Sequence, residues 1–465
     1  MNNDKKVLKA SFWYTFSNFL IKGLSFITAP IFLRILTQNE YGLYSNFCTL
    51  LSLITIVATM SLGTSLISAR FDYKEEIESF VLSNLILGSL CTLIISVVLL
   101  TVDDYLANIL SIDYQYIIIM ALIMLFSPAY DMFMMLQRFQ YKYKTVVAIT
   151  LIVSILSVLV PLILIKLLED NLWARIVGGY LPTFLVSVSI YVYFILKGKK
   201  IRFSHWKYSL AICVPYIFHM ISGTVLNSSD RVMITSICGT RYNALYSAAG
   251  NIAMIANMIW ASMNSAYIPW LGEMLNEEAY DKIKKYSRPY TLVFVFIVIG
   301  FMLVTPEALW IIGGRDYMEA QVVIPPIMLG YLFVFLYSLY ASIEQFKKKT
   351  IGMAVMTFVA TVANLMLNAV FLPKYGYVAA AYTTLVGYIL LFIMHFVYVK
   401  KLGYTKAYDT KFVIGTILVG CLIGGGILIS YEHIVLRCIL IVIYALVIIL
   451  YGYKNKNLMK SILKK

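Results

Sequence analysis

The sequence predicts an all-α polytopic membrane protein with 14 transmembrane helices: two six-helix lobes in parallel repeat plus two extra C-terminal helices. Three observations carry this reading: an apolar composition, the regular recurrence of apolar runs, and the alternation of basic residues between successive loops. Of the 465 residues, 61% are hydrophobic and only 13% charged, with a mean hydropathy of +0.82, whereas soluble domains average about 25% charged residues. So few charges cannot cover a water-exposed surface, and the bilayer becomes the solvent. A disordered tail, a secreted disulfide scaffold and a nucleic-acid-binding domain are excluded, the last despite a net charge of +15.

A run of about 20 apolar residues crosses roughly 30 Å of hydrocarbon at about 1.5 Å per residue. Such runs fall at 10–33, 43–68, 80–101, 114–136, 145–166 and 176–196, then at 209–236, 244–271, 290–312, 321–343, 351–372, 377–399, 411–430 and 434–452. The N-terminal stretch starts basic but lacks a small-residue cleavage site, so it is read as a retained first span. With both termini in the cytoplasm, 29 of the 38 Lys and Arg fall on inner segments and seven on outer loops, leaving Lys22 and Arg231 inside spans. Cytoplasmic loops should hold that excess, so the positive charge is topology, aided by anionic inner-leaflet lipid. All loops are short. The longest, 273–289, reads as a charged amphipathic segment on the cytoplasmic surface, so function must sit among the helices. The six cysteines show no CxxC and no Cys/His spacing for zinc; they read as membrane-buried small hydrophobes, and no metal site is expected.

An internal repeat supports the two lobes. Leu43-Tyr44-Ser45 follows the first span and Leu245-Tyr246-Ser247 follows the seventh, 202 positions later, while Lys144-Thr145 and Lys349-Thr350 echo one another at 205. Six is an even number of spans, so both halves enter the membrane in one orientation, related by an axis along the membrane normal. The expected division is 1–200 for the N-terminal lobe, 201–402 for the C-terminal lobe, and 403–465 for the last two helices and a cytoplasmic tail. A central cleft with alternating access is expected.

Polar residues inside the spans mark the candidate site. In span one, Ser11, Thr15, Asn18, Lys22, Ser25 and Ala29 share one helical face. Lys22 lies near mid-membrane, where a lysine costs about 2.5–3.5 kcal/mol. A wet cleft or an anionic partner would offset this; packing against a carbonyl or an acid is the alternative. Span seven carries His219, Gly223, Asn227 and Asp230, with Arg231 beside them. Neighbouring residues project about 100° apart, so Arg231 is read as facing the cleft, at mid-bilayer depth like Lys22, with Asp230 as its orienter. His219 alone is more often a satisfied interior histidine. Asn257 and Asn264 in span eight, and Thr357, Thr361, Asn364 and Asn368 in span eleven, either line a polar path or hydrogen-bond neighbouring helices. Asp131, behind Pro128, is an ion site or a partner of Arg138. Glu307 and Glu344, at span ends, are expected to be solvated.

The stretch FITAPIFLRILT at 26–37, with Glu40-Tyr41-Gly42-Leu43-Tyr44 behind it, resembles the opening of bacterial polysaccharide-export flippases of the multidrug/oligosaccharidyl-lipid/polysaccharide (MOP) exporter superfamily. SDRVMI at 229–234, followed by ALYSAA at 244–249, is similar to that family's seventh-helix region. The resemblance implies a carrier in the bacterial cytoplasmic (inner) membrane that moves an undecaprenyl-pyrophosphate-linked oligosaccharide, an O-antigen or capsule repeat unit, to the outer leaflet. A pyrophosphate crossing bare hydrocarbon would be prohibitive, and fixed cations in a wet cleft would substitute for its water shell. Lys22 and Arg231 then hold the pyrophosphate. Asn18, Ser25, Asn227, Asn257, Asn264, Asn364 and Asn368 line the sugar path, and Asp131, Asp230 and His219 serve ion coupling or orientation. No cofactor is implied, coupling to a proton or sodium gradient stays open, and a monomer would suffice. The polysaccharide polymerase and chain-length machinery are implied partners besides membrane lipid.

Two other readings compete. An ion-coupled multidrug exporter of the same superfamily would favour buried acids over buried bases. A membrane glycan transferase or polymerase would need acids in an outer loop, where Asp103-Asp104 is the only candidate and reads as solvated. No P-loop or GxGxxG is present, and an enzyme is not expected.

Overall fold

In hydrocarbon every backbone N–H and C=O needs a partner within the protein, which leaves helices as the answer for long apolar runs. The computed structural model describes residues 20, 23–24, 28–101, 113–140, 142–198, 200–347 and 349–454, with helices and no strand among them. The chain forms two compact units, Met1–Ser247 and Ala248–Lys465.

In the first unit, helical residues 28–35 lead to α1 (Gln38–Ala58), α2 (Leu66–Asp72), α3 (Ile77–Thr101), α4 (Tyr114–Phe139), α5 (Tyr143–Leu167), α6 (Asn171–Lys197), α7 (Phe203–Cys238) and the first turns of α8 (Thr240–Asn276). α1 begins at a capping box. Thr37 Oγ1 accepts from the Glu40 N–H at 3.2 Å, and the Glu40 carboxylate accepts from the Thr37 N–H at 2.7 Å. Asp170 caps α6 by accepting from the Trp173 N–H at 2.8 Å. The predicted span 43–68 is not one helix: Met60 and Ser61 take φ values of 50° and 47°, a region costly for non-glycine residues, and interrupt it before the short α2. Phe47, Met120, Met124 and Ile176 join α1, α4 and α6 in one core cluster. Phe80, Leu85, Met132 and Phe194 join α3, α4 and α6 in a second.

The second unit continues α8 and adds α9 (Tyr280–Leu303), α10 (Thr305–Gly313), α11 (Ile324–Phe346), α12 (Thr350–Tyr375), α13 (Val378–Lys401), α14 (Thr410–Ser430) and α15 (Ile434–Lys454). The predicted run 290–312 divides at Val304, ahead of Pro306, a residue that starts a helix but cannot continue one. The expected surface segment 273–289 is not separate either. α8 runs to Asn276, Glu278 turns the chain at φ 53°, and α9 starts at Tyr280. α11 is buried along nearly its whole length, while α14 and α15 turn Leu418, Leu422, Ile434 and Leu450 outward, as lipid-facing helices do. Cys421 and Cys438 share that outward surface and Cys213 is buried.

Among the described residues, 11 helices are long and apolar enough to cross a membrane. α7 and α8, with 36 and 37 residues, are not among them, and the predicted span 10–33 lies mostly outside the described residues. The expected total of 14 rests on those three.

Candidate functional site

Asp230 and Arg231 are neighbours on α7 that face different surroundings. Asp230 is only 2% exposed, and its Oδ2 accepts a hydrogen bond of 2.6 Å from the Tyr246 hydroxyl on α8. Arg231, about 100° further round the helix, is half-buried. Among the described residues no carboxylate lies within 4.0 Å of it. The contrast is with Arg202, paired to Glu76 at 3.0 Å, and with Arg288 and Arg437, paired to Asp409 and Glu307. A cation that no described carboxylate approaches, on the helix expected as the seventh span, would be costly in hydrocarbon, where such residues mark substrate or ion pathways. Arg231 lies seven residues before the end of α7 at Cys238, roughly 10 Å along the axis. In the predicted orientation that end of the helix is the outer one. Asn227, one turn earlier on the same face, is exposed, and its Nδ2 donates to the Gly223 carbonyl at 2.6 Å.

The other predicted residues divide. Asn18, Lys22 and Ser25 lie outside the described residues, as do Asp103 and Asp104, and His219 lies within α7. Asn257 and Asn264 are half-buried on α8 in the second unit. Asn364 and Asn368 are fully buried, and their amides are engaged between α12 and α13. Asn364 Nδ2 donates to Thr384 Oγ1 at 3.0 Å, Asn368 Nδ2 to Asn364 Oδ1 at 3.4 Å, and the Thr383 hydroxyl to Asn368 Oδ1. Both amides fasten α12 to α13, the second of the two uses expected for them. Asp131 is exposed on α4 and forms no ion pair with Arg138.

Several polar contacts escape sequence reasoning. Glu344 is not solvated: it is 0% exposed, and its Oε1 lies 2.8 Å from Nδ1 of His395, joining α11 to α13. Glu307 is not merely solvated either, since it holds Arg437. The repeated Leu-Tyr-Ser motif meets itself: Ser45 Oγ and Ser247 Oγ are 2.6 Å apart. Each flanking tyrosine engages a charge. Tyr44 accepts from Arg175 Nη2 at 2.8 Å, and the guanidinium lies over the Tyr44 and Phe32 rings at 4.5 and 3.8 Å; Tyr246 donates to Asp230. The matching motifs could have suggested the serine contact, whereas nothing in the apolar runs pointed to Glu344 and His395.

The described residues thus form a multi-pass helical bundle, with an arginine near one end of a long helix that no described carboxylate approaches within 4.0 Å. The fold is similar to the solved structure of the lipid II flippase MurJ in its inward closed conformation, with a TM-score of 0.71 over 96% of this chain and 99% of that one at 14% identity. The chain belongs to the polysaccharide biosynthesis protein family, whose profile matches residues 7–275, and so to the MOP superfamily; the MatE profile matches residues 215–370. Among curated relatives, the uncharacterized membrane protein MJ1068 of Methanocaldococcus jannaschii is 22% identical over 90% of this chain and 89% of its own length. The succinoglycan biosynthesis transport protein ExoT of Rhizobium meliloti is 20% identical over 68% of this chain and 65% of its own.

Proposed function

We propose that this MOP-superfamily transporter is a flippase for an undecaprenyl-pyrophosphate-linked oligosaccharide, such as an O-antigen or capsule repeat unit, carried from the inner to the outer leaflet of the bacterial cytoplasmic membrane. The observation that carries the reading is Arg231: a half-buried cation on α7 with no carboxylate within 4.0 Å among the described residues, suited to a pyrophosphate. A guanidinium presents planar, bidentate donors to phosphate oxygens. Lys22 is the second cation in this proposal and the exposed Asn227 a contact for sugar hydroxyls. The family match and a curated relative named for succinoglycan transport support the substrate class. Vesicles containing the purified chain and an undecaprenyl-pyrophosphate-linked oligosaccharide provide the test. The saccharide should become accessible to an impermeant glycosidase on the opposite face, and no gain over protein-free vesicles rejects the proposal.

The MatE profile match at residues 215–370 favours a second reading, an ion-coupled multidrug exporter. Loss of the gene would then sensitise cells to cationic drugs, without accumulation of lipid-linked saccharide in the inner leaflet.

A further inference from the structure

The linker between the two predicted lobes is fastened to the first turns of α3, and one residue there, Ser83, takes most of the contacts. Ser83 is fully buried. Its Oγ donates to the Ser79 carbonyl at 2.7 Å and accepts from the Arg202 N–H at 3.1 Å, and its carbonyl accepts from Trp206 Nε1 at 2.6 Å. Gly198, where α6 ends, comes so close that a Cβ on it would stand 2.6 Å from that of Leu82. Arg202 also reaches Glu76 at 3.0 Å, and the Tyr208 hydroxyl donates to Asp72 at 2.5 Å. The linker and the first turn of α7 are therefore held to α2 and α3 by side chains as well as by the chain itself.

His205 completes the arrangement. It is fully buried, its Nδ1 lies 3.0 Å from Ser83 Oγ, and Tyr73 and Phe80 pack against its ring at centroid distances of 4.8 and 5.2 Å. Ser83 directs its one proton at the Ser79 carbonyl, so Nδ1–H is the donor to Oγ and Nε2 is bare. That Nε2 is buried and has no hydrogen-bond partner among the described residues. A second proton would make it a buried cationic donor with nothing to receive it, which is costly. The charges that act on the imidazole are Glu76, which favours the proton, and Arg202, which opposes it, and these two are paired with each other. We propose that Ser83 and His205 form a clamp that pins the linker and the first turn of α7 on α3, and that protonation of His205 from the cytoplasm releases it and slows transport. The assignment to the cytoplasmic side follows Lys197, Lys199, Lys200, Arg202 and Lys207 around the linker. The clamp lies wholly within the first unit. It rests on the flippase reading for the cargo it slows, but not for its existence.

Hydrogen exchange of the whole chain in lipid nanodiscs reads the clamp without any cargo. Exchange of the amides from 200 to 208, divided by their intrinsic rates, should rise several-fold on going from about pH 7.5 to about pH 5.5, with a ceiling of about tenfold set by an ordinary histidine near 6.5 in the released state. His205→Asn, whose Nδ2 can stand where Nδ1 does without titrating, should show no such rise. Ser83→Ala should exchange at the acid rate already at about pH 7.5. A flat profile in the parent, an equal rise in His205→Asn, parent-like exchange in Ser83→Ala, or a parallel rise over α11, which would mean general unfolding, each overturns the clamp. Transport is then followed in vesicles with only the face bearing the basic loops acidified over the same range. Movement of undecaprenyl-pyrophosphate-linked oligosaccharide should slow several-fold in the parent and hold its rate in His205→Asn, and equal slowing in both removes His205 from the control of transport. Exchange as expected with no saccharide moved at any pH would reject the flippase reading and leave the clamp standing.

Discussion

Arg231 and Asp230 differ by one position, yet Asp230 holds the Tyr246 hydroxyl while no described carboxylate lies within 4.0 Å of Arg231, which decides how each should respond to substitution. Arg231→Ala should abolish complementation of surface-glycan export with expression unchanged. Arg231→Lys should keep part of it, since a point charge remains without the planar fork. The residue that breaks most when altered should be elsewhere. Glu344 and His395 are buried together, so His395→Phe leaves a buried carboxyl without its partner and should cost about 1–3 kcal/mol, read as a lower thermal midpoint in detergent. The joint Glu344→Leu/His395→Phe variant should recover part of that loss. His205, at the start of α7 ahead of the predicted span, is buried beside Ser83 with Tyr73 and Phe80 around its ring. Burial pushes its pKa below the ordinary histidine value; Glu76 opposes the shift and Arg202 adds to it. The unfolded chain therefore binds the proton more tightly. Stability should be full above the ordinary histidine value of about 6.5 and fall as pH drops below it, a dependence that His205→Phe should flatten. Arg231 was legible in the sequence because a basic residue inside an apolar run stands out. Glu344 was not, because its position at a span end, ahead of Lys347, looks like an approach to water, and only the packing of α13 over α11 buries it.

At the level of the helices, the apolar runs were readable because each must bridge the hydrocarbon with about 20 residues. The interruptions were less so. Gly239, at φ 106° between α7 and α8, is a residue type that favours such a turn, but Thr59-Met60-Ser61 contains neither glycine nor proline, and nothing local announces the break there. α1 and α8 meet where one side chain is missing, since a Cβ on Gly42 would run into the Thr240 carbonyl. Gly42→Ala must displace the Thr240 carbonyl, so it should lower the thermal midpoint and speed maleimide labelling of Cys introduced at 247. A midpoint and a labelling rate matching the parent would show that the two helices tolerate wider spacing than the contact implies. The amide stripe of α12 was legible as a one-sided polar face, but not its use. Asn364 and Asn368 meet hydroxyls of α13, and interhelical bonds of this kind contribute only about 0.6–1.7 kcal/mol each in a membrane.

For the molecule as a whole, the fold class and the family were legible from composition, charge alternation and two short motifs. The compact units divide inside α8, at Ser247, and the first turns of α8 are bonded to α1. Deleting the gene should leave a lipid-linked saccharide accumulating in the inner leaflet, identified by mass analysis of the extracted lipid; unchanged lipid pools with new drug sensitivity would favour the exporter instead. One further consequence belongs to descent. Where a serine touches its own duplicate, neither copy can be replaced by a bulkier residue unless the other shrinks or its helix yields. Among related sequences, positions 45 and 247 should drift as a linked pair, even though the residues on either side of them wander independently.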